Sequence, residues 1–583
     1  MAFILPAPNP KSLSVIRQRW RQRQFVYVER FLLRDTFGPT DLAAGSVNGT
    51  AAEPGPGVRT VTDTENKLSL SGGEVVFAGG KAAPAWGDPG LWYGAQTRAA
   101  GLAISADHTF SALANSTIGW DSATAGQSDR DSLGVAGTTL RVWTNGGVVA
   151  AGTVAPTTVY GLAVILRTGG AFWYLRDGTG TAWRLIWADT INTDATLYPS
   201  ATNFNSSFDV DYIKVAQLSW LPAPLTSDGF GTAGALATTD GLGHAEGIAG
   251  GIGSGGGGKV WTGATWTAAA GKASNTPGTG GELVTNGGME GTYDTEAAGV
   301  DIAPDWDLYD LAGADTASKE ESLIHSGAAA QKFTTGGPSR GIRQSVNTTF
   351  ALGDWCIVSV WARGGVGGEK LTISNWTGAW PTYLYNNATL TTAYANYTVV
   401  VRSTGTFERL TFIGGNEGLG GTYYIDDVSV LLLTLSTLFA STTHSTADVL
   451  ATVAVTLTAG TQAGVVVNLD SAATPANFVI AYHDGTNCKL EKCVAGVYTT
   501  VITAAATYSA GAELRVIKDG TAYRLYYNNA LVGTGTIADA GIVSNTLHGL
   551  FSTYASNTLD NLTIYARGTG GEYNAPLEEV ANG

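Results

Sequence analysis

The stretch that decides the fold is "YYIDDVSVLLL" at residues 423–433, where apolar residues alternate behind a pair of aspartates. Related stretches are "VDYIKV" at 210–215 and "LDNLTI" at 559–564. Strict alternation predicts a strand that buries one face in a hydrophobic core. Three such strands, far apart in the chain, predict that a β domain is completed three times.

The composition favours the same fold class. A chain of 583 residues is too long for one hydrophobic core, so we expect three or four domains. Only 14% of the residues are charged, and 78 are glycine. This balance is typical of short strands joined by tight turns, so we predict an all-β protein.

The net charge and the absence of targeting signals limit the kinds of partner and the cellular location that we expect. The formal net charge is −15, so no global field attracts nucleic acid or an acidic membrane surface. No stretch is long and apolar enough to span a membrane, and the N-terminus does not follow the pattern of a secretory signal. Three cysteines, Cys356, Cys488 and Cys493, cannot all pair, so we expect reduced, structural thiols. We therefore expect synthesis in a cytoplasm.

Two distant segments repeat each other. Residues 162–178 and 514–530 both contain an alternating strand, a glycine turn and an aromatic-rich strand, which predicts two β-hairpins. Similar openings precede them, "RDTFG" at 34–38 and "SDGFG" at 227–231. The chain thus holds two copies of one domain type, and the second copy is too long by about one domain.

The excess lies at residues 282–433, between "ELVTNGGMEG" and "YYIDDVSVLLL". This segment is a self-contained pattern of strands, and the second copy resumes after it. We therefore predict a domain inserted in a loop of another domain. Such insertions are tolerated where the two ends of the guest domain lie close together.

The inserted segment resembles carbohydrate-binding modules of the family 4/9 type, which are β-sandwich jelly rolls. The resemblance rests on "NGGME" (286–290), "HSGAAAQKF" (325–333), "GDWCIVSVWARG" (353–364) and "YYIDDVSV" (423–430). Met289 stands where the family usually has phenylalanine, a change that a core tolerates. The resemblance implies a jelly roll of about 150 residues.

The two flanking copies resemble concanavalin A-like (laminin G-like) jelly rolls, which share the two-sheet architecture. We thus predict tandem β-sandwich jelly rolls, one inserted within another, preceded by an extended or partly helical arm. The predicted organisation is an N-terminal anchoring arm (1–34), a concanavalin A-like jelly roll (35–218), a linker (219–226), a second such jelly roll (227–281 plus 434–567), the inserted module (282–433) and a C-terminal tail (568–583).

Catalytic motifs do not emerge from the sequence. Hydrolases of the concanavalin A-like fold use a Glu-x-Asp-x-x-Glu cluster, and no such string occurs here. A zinc-protease motif, a Walker-type loop and a nucleophile elbow are also missing. We therefore predict that the protein is not an enzyme.

Candidate sugar-binding residues concentrate in "SNWTGAWPTYLYNN" at 374–387 of the inserted module. Proteins bind sugars by stacking aromatic rings on the C–H faces of the sugar. Amide and carboxylate side chains form hydrogen bonds with the sugar's hydroxyl groups. We predict binding through Trp376, Trp380, Tyr383, Tyr385, Asn375 and, as a second candidate, Trp306. Packing of these rings in the sandwich core is the alternative, and we favour it for Trp361. Alternation predicts that Tyr383 and Tyr385 share one face of a strand.

A calcium site is implied by the resemblance, because members of the family hold a structural calcium between their first and last strands. By matching position, Glu290 with Asp426 or Asp427 would bind it, through the hard oxygen ligands that calcium prefers. Strand parity puts Asp426 on the side of Val428 and Val430, hence inward. The alternative is that these carboxylates cap turn amides.

The leading segment is unlike the rest of this acidic chain. Six arginines, from Arg17 to Arg34, alternate with aromatic residues such as Trp20 and Phe31. An RNA-binding arm or a solvated basic face would explain this composition. We favour an arm that docks on a larger assembly, since aromatic and arginine side chains are enriched at interfaces.

Two function classes remain. The first is a virion structural protein of a bacteriophage (tail fibre, tail tip or capsid surface), which is a homo-oligomer that docks on other virion proteins through its arm and presents jelly rolls to host glycans. It accounts for the missing export signal, because virions assemble in the host cytoplasm. The alternative is an enzyme, a polysaccharide hydrolase or depolymerase with an inserted binding module. An exported bacterial adhesin is a third hypothesis.

Overall fold

The structure is a computed structural model that describes residues 28–567 with gaps. The gaps are residues 36, 38–40, 44, 53–57, 73, 111–114, 125–128, 157, 178–181, 219–225, 229–233, 236–260, 312, 338–339, 350–352, 378–379, 404–405 and 415–419. The described residues fall in two compact units, divided after residue 223 and after residue 565. No helix in the part of the chain that the structure describes is long and apolar enough to cross a membrane.

The described residues of the first unit form strands and loops, without a helix. The strands are β1 (Val28–Asp35), β2 (Thr60–Thr62), β3 (Leu68–Ser71), β4 (Glu74–Phe77), β5 (Gly90–Trp92), β6 (Gln96–Thr97), β7 (Leu102–Phe110), β8 (Asn115–Asp121), β9 (Asp129–Ala136), β10 (Thr139–Thr144), β11 (Gly147–Thr153), β12 (Val159–Leu166), β13 (Ala171–Asp177), β14 (Trp183–Ala188), β15 (Thr196–Asn203) and β16 (Phe208–Leu218).

These strands form a sandwich of two antiparallel sheets. One sheet has the order β14-β13-β12-β7-β16-β4-β3, with β1 also paired to β16, and the other has the order β11-β10-β9-β8-β15-β5-β2. Apolar residues fill the space between the sheets, as Trp120 shows by donating from Nε1 to the carbonyl oxygen of Val164 on the opposite sheet at 3.5 Å. The prediction of an all-β sandwich is confirmed for this unit.

Strand β1 corrects the predicted arm. It begins at Val28, so residues 28–34 belong to the sandwich, and only residues 1–27 of the arm lie outside the described residues. Leu33 is buried, and the buried Asp35 accepts two hydrogen bonds from Arg59, from Nε and from Nη2, each at 2.7 Å. Residues 28–34 join the sandwich because β1 pairs with β16, and the arginine-rich composition of this segment did not indicate such a strand.

The second unit has the same sandwich with a further module in it. Its outer strands are β17 (Thr226–Asp228), β18 (Gly234–Ala235), β19 (Trp266–Ala269) and β20 (Lys272–Asn275) before the module, and β34 (Phe439–Thr443), β35 (Val449–Thr456), β36 (Ala463–Leu469), β37 (Asn477–His483), β38 (Asn487–Val494), β39 (Val497–Ala505), β40 (Ala512–Asp519), β41 (Ala522–Tyr527), β42 (Ala530–Thr536), β43 (Leu547–Ser552) and β44 (Thr558–Ala566) after it. A 3-10 turn (Leu435–Leu438) and a short α-helix (Ala540–Val543) join them.

The outer strands repeat the strand order of the first unit. One sheet runs β18-β19-β20-β44-β35-β40-β41-β42, and the other runs β34-β43-β36-β37-β38-β39. The first of these contains strands from both sides of the module. This pairing supports the proposed insertion, whose exact boundaries remain a prediction.

The module has two antiparallel-dominated sheets of its own. Its strands are β21 (Thr279–Glu282), β22 (Asp294–Ala297), β23 (Val300–Ile302), β24 (Asp307–Tyr309), β25 (Thr316–Glu320), β26 (Ala330–Thr335), β27 (Arg340–Thr349), β28 (Trp355–Gly364), β29 (Lys370–Thr377), β30 (Trp380–Thr389), β31 (Ala395–Arg402), β32 (Thr406–Gly414) and β33 (Gly421–Leu433). The larger sheet has the order β22-β23-β25-β26-β33-β28-β31, with β21 also on β33. The five-stranded sheet has the order β24-β27-β32-β29-β30.

The module packs against the outer sandwich through an apolar cluster. Trp355 and Val400 of the module lie in one hydrophobic cluster with Phe478 and Phe551 of the outer sheet. Trp355 is 3% exposed, and its Nε1 donates to the hydroxyl oxygen of Tyr498 at 3.0 Å. Module and outer sandwich therefore share one apolar cluster and form a single compact unit.

Candidate functional site

The face of the five-stranded sheet that points away from the module's core carries several polar residues beside the buried Ile413. Along β32, Leu410 and Phe412 lie in the core, so Thr411 between them points to the other face. Ser374 on β29 does the same, because the residue before it, Ile373, is also in the core. We call this side of the sheet, with Ser374, Thr411, Arg343 and Arg409, the polar face.

Three residues of the polar face form one row across three strands. Thr411 pairs with Ser374 on one side and with Arg343 on the other. Directly opposite side chains on one face of an antiparallel pair lie about 5 Å apart at Cβ. Two hydroxyl groups and a guanidinium group therefore stand side by side.

All three residues of this row have an unsatisfied polar atom. Ser374 Oγ, Thr411 Oγ1 and Arg343 Nε are buried and make no hydrogen bond to any described residue. Asp307 Oδ2 approaches Arg343 Nε only to 3.9 Å. Buried polar groups are nearly always hydrogen-bonded. Three unsatisfied polar atoms in one row therefore mark a candidate binding site. Ser374 and Thr411 are 0% exposed, so a hydroxylated ligand would reach this row only when the side chains that cover it move aside.

The predicted aromatic residues lie on the same hairpin, β29–β30. The register sets Tyr383 opposite Ser374 and Trp376 opposite Pro381 and Arg409. These positions extend the polar face toward the sheet edge. The side chains of Trp376, Trp380, Tyr383 and Tyr385 lie outside the described residues, so their part in binding remains a prediction.

The side chains of Tyr383 and Tyr385 lie outside the described residues, so the prediction that they share a strand face stays a prediction, and the backbone register gives only their partners. Tyr385 pairs with Ile373, a core position, whereas Tyr383 pairs with Ser374 on the polar face. An irregularity in the ladder lies between these pairs. The extra residue, Leu384, shifts the pairing at this point, as a β-bulge does.

Two other candidates belong to the interior. Trp306 is 4% exposed, donates from Nε1 to the carbonyl oxygen of Asn286 at 3.1 Å and contacts Phe412, so it is a core residue and cannot stack on a sugar. Asn375 is buried on the core side of β29, and its Oδ1 has no hydrogen-bond partner. Its proximity in sequence to Trp376 had suggested a shared face, which strand alternation excludes.

The predicted calcium ligands hold a loop instead. Asp426 Oδ2 accepts backbone N–H groups of His325 at 2.9 Å and Ser326 at 3.2 Å, and its Oδ1 accepts that of Asp427 at 2.8 Å. Glu290 Oε1 accepts the N–H of Ala328 at 2.7 Å. These contacts hold residues 325–329, which we call the latch loop.

Asp427 completes the latch. Its Oδ1 accepts from the hydroxyl of Ser326 at 2.9 Å, and its Oδ2 lies 2.6 Å from Nδ1 of His325. Most of these carboxylate oxygens thus accept hydrogen bonds from the latch loop, as the alternative of carboxylates that cap turn amides implies, and the calcium site stays a prediction. Among the described residues, no group of three or more His, Cys, Asp or Glu side chains is arranged to hold a metal ion.

The latch loop also covers a residue that the sequence placed in the core. Trp361 is only half-buried and faces outward from β28, where the ring of His325 stacks on it at a centroid distance of 3.7 Å and an interplanar angle of 13°. Trp361 pairs with Asp426, and Val360 and Ala362 on either side of it are buried. Alternation around Trp361 was therefore the signal that could have placed it outside.

Sequence reasoning missed the polar row itself. Thr411 and Arg409 alternate with Leu410 and Phe412 in β32, so the pattern of the strand contained the information. Arg343 pairs with Thr411 only through the sheet. The row becomes a site because three distant strands meet, which no local pattern encodes.

Comparisons with known proteins are consistent with this fold. No family model matches the chain, and no curated protein matches it. Among solved structures, the chain is similar to the carbohydrate-binding module CBM66 of Bacillus subtilis, at 14% identity over 22% of this chain and 81% of that chain, with a TM-score of 0.19. It is also similar to a β-1,3-glucanase of Mycobacterium marinum, at 14% identity over 32% of this chain and 98% of that chain, with a TM-score of 0.22. These similarities concern the jelly-roll fold alone.

The prediction that the protein is not an enzyme is corrected by these comparisons. Solved structures with similar jelly rolls include the glucanase and a xylan β-1,4-xylosidase of Bacillus halodurans, at 13% identity over 26% of this chain and 34% of that chain, with a TM-score of 0.20. The sequence argument relied on one missing carboxylate motif. The fold is one that hydrolases also use, so the missing motif does not exclude catalysis.

Proposed function

We propose that the protein binds carbohydrate through the polar face of the inserted module. The observation that carries the proposal is the row of Ser374 Oγ, Thr411 Oγ1 and Arg343 Nε, all buried and without a hydrogen-bond partner in the part of the chain that the structure describes. Leaving such groups unpaired costs about 1–3 kcal/mol each, which a ligand's hydroxyl groups could recover. The aromatic positions Trp376 and Tyr383 extend this row and would provide rings for the C–H faces of a sugar.

We further propose that this binding serves a bacteriophage virion protein, as a tail fibre, tail tip or capsid-surface component. Support comes from the series of jelly rolls, which suits display of binding surfaces, and from the arginine-rich and aromatic residues before Val28. In this proposal the protein is a homo-oligomer, residues 1–27 dock it on other virion proteins, and a host-surface glycan is its partner. Mass spectrometry of purified particles should find the chain in several copies, and particles without it would contradict the virion role.

The binding proposal is tested on the full chain with a broad glycan array, followed by calorimetry on the best ligand. Thr411→Val removes one hydroxyl of the row at nearly constant volume, and Trp376→Ala removes a ring. Each change should weaken binding by about 1–3 kcal/mol, the cost of a lost anchor at an interface.

Trp361→Ala is the matched control, because Trp361 lies on the other sheet of the same module. This variant should bind like the wild type. Unchanged binding in Thr411→Val and Trp376→Ala would contradict the assignment of the site. Release of new reducing ends from a bound polysaccharide would show that the protein is a hydrolase.

A further inference from the structure

Strand β14 (Trp183–Ala188) ends one sheet of the first sandwich. It pairs with β13 on one side, and no other described strand pairs with it. The other side of such an edge strand presents backbone N–H and C=O groups to any chain that can pair with them. The edge of β14 is therefore a surface on which a further strand can dock.

The edge of β14 is covered in spite of its position. Side chains of successive residues in a strand point to opposite faces of the sheet, and here residues on both faces are buried. The exposed fraction is at most 5% at five of the six positions, which are Trp183, Leu185, Ile186, Trp187 and Ala188. Only Arg184 is partly exposed, with its side chain at 28%. Other parts of the chain therefore lie over this strand.

One described residue from the far end of the chain lies on this edge. The carbonyl oxygen of Arg567 accepts the N–H of Leu185 at 3.0 Å, and Nη1 of Arg567 donates to the carbonyl oxygen of Leu185. Arg567 is 2% exposed, and the chain belongs to the first unit from residue 566 onward. Both backbone groups of Leu185 are thus bonded to a residue 382 positions away, in the manner of a segment that adds to a sheet edge.

The chain that follows Arg567 is long enough to continue along β14. Residues 568–583, "GTGGEYNAPLEEVANG", lie outside the described residues and begin directly after the contact at Leu185. A strand rises about 3.3 Å per residue, and β14 ends within about 10 Å of Leu185 on either side. The first few residues of this segment are therefore sufficient to reach the end of the strand.

We propose that the edge of β14 is the docking surface for this chain's own C-terminal segment, which begins with Arg567 and continues over residues 568–583. Docked there, the segment closes the edge against strands of other molecules and makes the protection of β14 depend on the last residues of the chain. One sheet of the first sandwich is then held by both ends of the sequence, since β1 pairs with β16 of the same sheet.

Hydrogen exchange of the full chain tests the proposal, with mass spectrometry of peptides that cover residues 183–188. Three proteins are compared, which are the wild type, a protein without residues 568–583, and Arg567→Ala. Exchange at β14 should be about tenfold faster in each variant than in the wild type. This factor corresponds to the loss of about 1.4 kcal/mol of local stability.

Removal of residues 2–17, a segment of equal length near the other end of the chain, is the matched control and should leave exchange at β14 unchanged. Peptides from β9 and β10, on the other sheet of the same sandwich, should exchange equally in all proteins and show that the unit is folded.

Three results would overturn the proposal. Unchanged exchange at β14 without residues 568–583 would mean that Arg567 alone, or another part of the chain, covers the edge. Equal acceleration throughout the sandwich would mean that the segment supports the whole unit and not this edge. Protection of β14 that is lost when the wild type is diluted would assign the docked segment to another copy of the chain.

Discussion

Asp427 has a φ of +44°, and the extra residue that it adds to β33 changes the direction in which Asp426 points. Ser359 pairs with Ser429, but two residues later on β28 Trp361 pairs with Asp426, three residues away on β33. A β-bulge therefore separates Asp426 from the inward-facing Val428. The prediction from parity that Asp426 points inward beside Val428 is wrong for this reason. Its burial comes from the latch loop that covers it.

Calcium should not affect the stability of the module, because the carboxylates of Glu290, Asp426 and Asp427 already serve protein donors. We expect the unfolding temperature of the second unit to be the same in EDTA and in millimolar calcium. Asp426→Ala, in contrast, leaves three N–H groups without their acceptor and should destabilise the unit by about 2–4 kcal/mol. A clear rise of the melting temperature with calcium in the wild type would instead support the metal site that the family resemblance implies.

His108 should make the first unit sensitive to mild acid. It is buried, stacks on Phe208 at 4.7 Å and lies 3.2 Å from Ser116 Oγ, and burial holds its pKa well below the ordinary value. Below about pH 6.5 the unfolded chain therefore binds a proton that the folded chain does not, and stability falls by up to about 1.4 kcal/mol per pH unit.

The measurement is the free energy of unfolding of the first unit at pH 7.5 and pH 5.5, in wild type and in His108→Leu. The variant should lose less stability between the two pH values, whatever its stability at pH 7.5. Equal losses in the two proteins would show that His108 is protonated in the folded state.

At the scale of elements, strand β1 shows how pairing overrides composition. Its sequence, "VERFLLRD", carries two arginines, yet it pairs with β16 from Val28 to Asp35. Ladder hydrogen bonds, the burial of Leu33 and the ion pair between Asp35 and Arg59 stabilise it there. In β30, likewise, one irregularity in the ladder sets Tyr383 opposite Ser374 and Tyr385 opposite Ile373.

Two truncations distinguish the residues that the first unit needs for its stability from those that it does not need. Removal of residues 1–27 should leave the unfolding temperature of the first unit unchanged. Removal of residues 1–34 takes away most of β1 and should lower the stability of that unit by several kcal/mol, since Leu33 loses its burial and β16 loses a neighbour. The unfolding temperatures of the two truncated proteins are compared by circular dichroism. Equal stability would contradict the stabilising role of β1 in the first unit.

At the scale of the whole molecule, a sandwich that occurs twice in the chain carries a module packed on it through a shared apolar cluster. The outer sheet surface with Phe478, Ile480 and Phe551 is covered by the module through Trp355 and Val400. Arg402 of the module reinforces the contact by an ion pair with Glu491, in which Nη2 lies 3.0 Å from Oε1. The second sandwich therefore acts as a platform that fixes the module and with it the polar face.

Trp355→Ala should destabilise the second unit as a whole, by about 3–5 kcal/mol, because it leaves a cavity in the shared cluster. We expect the module and the outer sandwich of this variant to unfold in one transition, at a lower temperature than in the wild type. Calorimetry measures this transition. Trp361→Ala is the control and should cost less, since that ring is half-exposed. Independent melting of the module in the variant and in the wild type would contradict a shared core.

The chain's own pattern was enough for the fold class, the repeated hairpins and the module's strands, because alternation and turn residues act over a few neighbours. It also placed the aromatic residues on one hairpin. Tertiary structure alone decided the register of the strands, since single-residue bulges in β30 and β33 shift the pairing without a sequence signal. It alone decided the role of Glu290, Asp426 and Asp427, whose partners lie about 100 residues away or in a distant loop. The polar row is a product of register, because Ser374, Thr411 and Arg343 meet only when three strands pair.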